Sequence, residues 1–475
     1  MRRAAKRAGI VICMLTLMLC LTGCLKSVDQ MYVLPKTAEE NEELQSKLDA
    51  MRERGAEYIQ PLSGDTRQSS IVVDLDGDET DETVYFFRDK NAELPLQVVV
   101  FWRPNPQKNS FYTYTISGKG ESIDSFSCSD LDGDGSMELI IGWREGPNDK
   151  NLEVYSAHKE TAQSSGESEF TFELLQTTNY SDYRLCKFSE KSEPDVTNLF
   201  VIRRKMNDTG AASATEREAV LYTVRSGADG YEIRTDGPAP LSSVRSVQNI
   251  IISKLSNGTA AAYVDSESYY GGYLTDIVTF FRHELVNLIK LNESAKPTAG
   301  DSSNSAFIET FRPVKMLCTD IDGDGIIELP IFEKLNTANR FSPEYAIRWY
   351  AYSTSSSVLK LTTYYNPDDT WYFILPNNQL DKLYVRRENA YGVQSVVFSY
   401  KSDSVDTDIL KITAYRGDMR NQYEELSGGG QKHRLAEGEN TEALYIGEVL
   451  SGEFWELTSM IELKFKLSYP EWSAE

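Results

Sequence analysis

The sequence predicts an all-β protein, a β-propeller of four-stranded blades with acidic loops, preceded by a short N-terminal helix and followed by a C-terminal β-rich domain or further blades. Three observations predict it. First, the pattern Asp-x-Asp-Gly-Asp occurs at Asp74–Asp78, Asp130–Asp134 and Asp320–Asp324, each copy closing on a glutamate, at Glu82, Glu138 and Glu328. Second, each copy lies between short apolar runs rich in β-branched and aromatic residues, which reads as strand, loop, strand. Third, two further segments keep the strand frame without the metal pattern, so five units recur at a period of about 55 to 60 residues, the size of one four-stranded blade.

The N-terminus is of another kind. Arg2, Arg3, Lys6 and Arg7 precede an apolar run from Ile10 to Leu21 that is too short to span a bilayer comfortably, so residues 1–23 read as a signal peptide. The run ends at Leu21-Thr22-Gly23-Cys24, which resembles a bacterial lipobox. That resemblance implies a lipid on Cys24 and a membrane partner: a chain anchored on the extracytoplasmic face of the cell membrane, with the lipidated linker and helix in residues 24–60. Loss of residues 1–23 takes four positive charges and no acids, which moves the net charge from −23 to about −27. So acidic a surface argues against nucleic acid as a partner.

Past the linker, Thr37 to Tyr58 is rich in Glu, Gln, Lys, Leu and Ala, with Leu44, Leu48 and Met51 at helical spacing, and predicts a charged amphipathic stalk or docking helix. Pro61 and Ser63-Gly64 break it. Strand units then fill residues 61–368. The first runs through Ile71–Val73, Thr83–Phe87, Gln97–Trp102 and Phe111–Ile116, and the second through Ser125–Ser129, Leu139–Trp143, Leu152–Tyr155 and Phe170–Leu175. A third, at Arg184–Phe188, Leu199–Ile202 and Ala219–Val224, has lost the metal pattern. A fourth is read at Ala260–Asp265 and Leu274–Val278, and the fifth surrounds the loop at Asp320. Residues 369–475 carry strand patterns without an acidic loop, interrupted by Ser427-Gly428-Gly429-Gly430, and read as a separate β-rich domain or as one or two more blades.

Alternate carboxylates in a tight loop suit a hard dication that takes six to eight oxygens, and calcium is favoured over magnesium for a cage made wholly of protein oxygens. The candidate ligands are Asp74, Asp76, Asp78, the carbonyl of Thr80 and Glu82; Asp130, Asp132, Asp134, the carbonyl of Ser136 and Glu138; and Asp320, Asp322, Asp324, the carbonyl of Ile326 and Glu328. Glu79 stands where the other loops have a second glycine. Two or three Ca²⁺ sites are expected. Ordinary β-turns also favour Asp and Gly, but three aspartates per loop exceed what a turn needs. The glutamate falls at the ninth loop position and the flanks are strands, unlike an EF-hand. At these residues the chain resembles the FG-GAP or VCBS repeats of integrin-α-like β-propellers, and that resemblance implies calcium loops between the first two strands of a blade.

Cys128 and Cys318 each stand two residues before a loop, and Cys186 is read at the matching place, so all three are expected to be small core residues. Only His158, His283 and His433 occur, and no nucleophile elbow, zinc helix or phosphate loop is present, so the chain is expected not to be an enzyme. The expected function is a protein- or glycan-binding scaffold, with the Tyr-rich stretch Ser266–Tyr273 as the candidate contact patch. The alternatives are an envelope-assembly lipoprotein without a soluble ligand and a carboxylate-dependent hydrolase.

Overall fold

Runs such as Leu139-Ile140-Ile141 and Leu199-Phe200-Val201-Ile202 are apolar at every position, as expected of strands buried on both faces of their sheet. The computed structural model describes residues 39–468, apart from 104–110, 162–167, 189–195, 208, 210, 228–229, 292–307, 338–342, 379, 402–405, 422–431, 438–442 and 453. Cys24, the signal-like segment and the triple-glycine connection lie outside the described residues. The strands form six sheets of four to six strands, nearly all antiparallel.

The chain begins with a helix, α1 (Glu39–Glu53), and two short strands, β1 (Ala56–Tyr58) and β2 (Ser63–Gly64). The first sheet joins β1 to β3 (Ser70–Val73), β4 (Glu82–Asp89), β5 (Leu96–Trp102) and β6 (Tyr112–Gly118). In the second, β7 (Ser122–Ser129), β8 (Glu138–Gly146), β9 (Asp149–Thr161) and β10 (Ser168–Asn179) follow in order, with β2 parallel along the β7 edge. β11 (Asp182–Cys186), β12 (Asn198–Met206), β13 (Ala212–Gly227) and β14 (Gly230–Pro240) make the third, and β15 (Val244–Lys254), β16 (Ala260–Ser268), β17 (Tyr273–Phe281) and β18 (Glu284–Asn287) the fourth. The fifth holds β19 (Glu328–Lys334), β21 (Tyr345–Tyr352), β22 (Ser357–Asn366), β23 (Trp371–Leu375) and the returning β29 (Phe465–Leu467). The sixth holds β20 (Asn336–Thr337), β24 (Leu383–Ala390), β25 (Val393–Lys401), β26 (Asp406–Tyr415), β27 (Lys432–Glu437) and β28 (Leu444–Val449). Two single-turn helices, α2 (Trp455–Thr458) and α3 (Ile461–Lys464), precede β29, and among the described residues no helix is long and apolar enough to cross a membrane.

Each sheet shares a core with the next. Val84, Phe86 and Val98 meet Phe126, Leu139 and Ile141 between sheets one and two, while Ile140 and Leu152, on the opposite face of sheet two, meet Leu199 and Val201 of sheet three. Phe200 and Ile202 then meet Ile250 and Val264 of sheet four; Tyr263 and Ile277 meet Leu329 of sheet five; Tyr364 and Phe373 meet Val385 and Phe398 of sheet six. The outer face of sheet one is covered by α1, whose Leu44, Leu48 and Met51 pack on Phe87, Val99 and Phe101. The helix predicted from that spacing therefore docks on the protein rather than standing off it.

Two readings shift by one strand. Sheet four begins at β15, so Ala260–Asp265 is its second strand and not its first. Trp371–Leu375, beyond the boundary read at 368/369, pairs with β22 and completes sheet five.

Candidate metal centres

The acidic loops join β3 to β4, β7 to β8, and Thr319 to β19, which bridges back to Thr319 through Glu328. One hydrogen-bond plan serves all three. The first aspartate accepts the amide of the fourth-position glycine, at 2.9 Å for Gly77, 2.6 Å for Gly133 and 2.7 Å for Gly323. Its other oxygen accepts the sixth-position amide, from Glu79, Gly135 or Gly325. The third aspartate accepts the amide of Thr80, Ser136 or Ile326. The closing glutamate, Glu82, Glu138 or Glu328, turns inward from the start of its strand and accepts the amide of Leu75, Leu131 or Ile321 at 2.7–3.0 Å.

These bonds explain the first and third aspartates as turn formers. They do not explain a fully buried glutamate facing them. Glu82, Glu138 and Glu328 are at most 1% exposed. Carboxylate oxygens of Asp130, Asp132 and Glu138 all lie within 4.8 Å of one another, as do those of Asp320, Asp322 and Glu328 and those of Asp74, Asp76 and Asp78. Asp134, Asp324 and Glu82 stand outside these tight groups, and Asp324 pairs with Lys360, whose Nζ also lies 3.3 Å from Asp322. Burial first, then the neighbouring aspartates, pushes the Glu82 carboxyl up to about 8 and those of Glu138 and Glu328 up to about 7. Glu138 Oε1 accepts the Ser156 hydroxyl, but Glu328 Oε1 and Asp132 Oδ2 are buried with no partner among the described residues. A dication at either group would satisfy these atoms.

The third sheet puts a neutral side chain where the other two have the closing glutamate. Asn198 occupies the glutamate's place, pairing with Cys186, and its side-chain oxygen accepts the Phe188 amide as Glu138 accepts that of Leu131. By this register Cys186 matches Ser129, one place later than the match with Cys128 read from the sequence. All three cysteines are free thiols raised by burial, Cys186 to about 12. Between sheets four and five a side-chain cation fills the corresponding electrostatic role: Arg312, fully buried, donates to Asp265 at 2.8 Å and to Thr275 at 2.7 Å, and the other Asp265 oxygen accepts the Cys318 amide.

The Tyr-rich stretch is tied down. Ser266 and Ser268 are buried, the Tyr269 hydroxyl donates to the Ala214 carbonyl at 2.7 Å, and Tyr270 packs on the core shared by sheets three and four. A more open surface lies where β2, β7, β11 and β15 converge, around a cavity of 590 Å³ lined by Ser125, Ser127, Lys150, Tyr180, Asp182 and Tyr183 among others. Its wall is anchored by Asp124, which accepts the Tyr180 hydroxyl at 2.6 Å, Arg144 Nε at 2.7 Å and Lys150 at 2.8 Å. Burial alone would raise this carboxyl, but those donors hold it below the usual range. Gly142 makes the arrangement possible, since a Cβ there would sit 2.0 Å from the Tyr180 oxygen. Sequence reasoning missed this group because its members come from separate strands with no shared spacing.

No protein-family model matches the sequence, and no curated protein is similar to it. Among solved structures, the chain is similar to a bifunctional GH43-CE protein of Bacteroides eggerthii (TM-score 0.20, 11% identity, 80% of this chain) and to a hypothetical protein from Leishmania major (TM-score 0.16, 10% identity, 60% of this chain and 89% of that one). The chain spans about half, 51%, of the GH43-CE protein's length. Likeness at this level carries no functional argument.

Proposed function

We propose that this chain is a membrane-anchored, extracytoplasmic lipoprotein of the FG-GAP/VCBS kind, in which calcium stabilises blade-like sheets that present a protein- or glycan-binding surface. The observation that carries the metal part is Glu328, a fully buried carboxylate with one oxygen unpartnered among the described residues, beside Asp320 and Asp322. Leaving such an atom bare is costly in a folded protein, and calcium supplies the missing charge. The blade reading rests on the serial cores and on the convergence of β7, β11 and β15 at one cavity. Hydroxyls and mixed charges around that cavity suit a polyhydroxylated or polar peptide ligand. Asp124 is committed to three donors, which favours binding over acid-base catalysis.

Thermal unfolding with calcium and with chelator tests the metal. A carboxyl raised from its ordinary 4.5 to about 7 or 8 weakens the metal-free fold as pH climbs through that window, because the unfolded chain releases its proton first. Calcium is therefore expected to raise Tm more at pH 8 than at pH 5. Equal Tm with calcium and with chelator at pH 8 would remove the metal from the reading. For the ligand, calorimetry against a glycan panel is expected to give binding that Lys150→Ala weakens; no glycan binding together with capture of an envelope protein returns the assembly role. Radiolabelled palmitate incorporation, lost in Cys24→Ala, tests the anchor.

A further inference from the structure

Loops two and three share one hydrogen-bond plan, but their surroundings differ at the Ser156 hydroxyl, which only Glu138 meets, and at one bulge residue. In sheet five β22 carries a bulge against β21: Trp349 pairs with Leu361 and Tyr350 with Leu359, so Lys360 is the extra residue. Sheet two bulges at the same place. Val154 pairs with Gln176 and Tyr155 with Leu174, which leaves Leu175 as the extra residue. The registers are equivalent, because Tyr155 faces Leu139 and Tyr350 faces Leu329, each the residue after its closing glutamate. A bulge re-aims its side chain relative to the pleat. In sheet two that side chain is apolar and packs on the core shared with sheet three. In sheet five it is an ammonium on Asp322 and Asp324.

Lys360 is thus a tethered cation seated on two carboxylates of the third loop. It leaves the loop's deepest atom unanswered, since Glu328 Oε1, in a residue with no exposed surface, has no partner among the described residues. The loop's demand for positive charge is split: its outer carboxylates are met by the lysine, its inner one by no cation among the described residues.

We propose that Lys360 is a built-in competitor for the third loop's calcium, so that this loop takes the ion more weakly than the second loop and only as the ammonium swings away. The inference rests on the calcium reading above. It makes the second site a constitutive structural one and the third a site that empties first as calcium falls.

The test is calcium titration calorimetry on the chain from residue 25 onward, made without lipid, with four variants. Glu138→Gln and Glu328→Gln assign the binding steps to loops two and three. Lys360→Leu gives loop three the bulge residue of loop two, and is expected to tighten the step lost in Glu328→Gln roughly five- to tenfold while leaving the step lost in Glu138→Gln unchanged. Leu175→Lys is expected to weaken the loop-two step by a similar factor, and circular dichroism checks that each variant keeps its fold. A wild-type loop-three step as tight as the loop-two step, or one that Lys360→Leu leaves unmoved, overturns the competitor while leaving the calcium reading standing. No calcium uptake by any variant overturns both.

Discussion

At the scale of single residues, the three loops differ most at their sixth position. Gly135 and Gly325 sit there at φ +95° and +85°, whereas Glu79 sits at φ 67°, a left-handed conformation that a side chain with a Cβ adopts at a cost of about 1–2 kcal/mol. Loop one also touches loop two through Gly77, where a Cβ would stand 2.5 Å from the Gly135 carbonyl, so its backbone has little room to relax. Glu79→Gly is expected to stabilise the protein by up to about 1 kcal/mol, the relief of strain less the freedom that glycine adds to the unfolded chain. Urea denaturation reads the difference, and a loss of stability would mean that the Glu79 side chain holds the loop. Residues of this kind could be read from the sequence because the whole loop is one contiguous segment. Asp124 and Tyr180 could not, since they meet only when β7 and the start of sheet three come together.

At the scale of elements, the strand frame of sheets one to three followed from short apolar runs, marked in sheets one and two by the acidic loops, while sheet four was misread by one strand. The cause is physical. The first half of β15, Val244 to Asn249, is mostly polar and half exposed, so it gives little strand signal, whereas Ala260–Val264 is continuously apolar and looks like a beginning. Sheet four has no acidic loop to mark its start. Instead the junction with sheet five is held by Arg312 and Asp265, both essentially without exposed surface. Removing one partner of a buried pair leaves a bare charge, so Arg312→Met is expected to cost about 3–5 kcal/mol, and Asp265→Asn a comparable amount. The double replacement should cost less than the two single ones together, because they share one interaction. Additive losses in urea denaturation would show that the two groups act separately. Asp265 also holds the Cys318 amide, two residues before the third loop, so the same pair fixes where that loop begins. Asp65 does this for Cys128 and the second loop.

At the scale of the whole molecule, the cores of the described residues link each sheet to its neighbours in the chain, which makes the first and last sheets the informative places. One end, the outer face of sheet one, is apolar and roofed by α1; the other, on sheet six, carries the paired charges Arg386 with Asp408 and Lys411 with Glu388 over a buried Val397. A helical roof and a charged face each keep the apolar side chains of the first and last sheets out of water. On this view α1 is part of the fold and not a passive stalk. Leu48, 3% exposed at the centre of the roof, is the residue to test. Leu48→Asp places a charge against Phe87, Val99 and Phe101, and is expected to cost more than the roughly 2–5 kcal/mol of a leucine-to-alanine change. The lifted helix should expose apolar surface to a hydrophobic dye and open residues 39–53 to proteolysis. On the proposed calcium reading, uptake by the second and third loops should persist, because their cores lie away from the roof. Loss of calcium uptake together with the roof would mean that the stack folds as one cooperative unit, its farthest loops depending on its first helix.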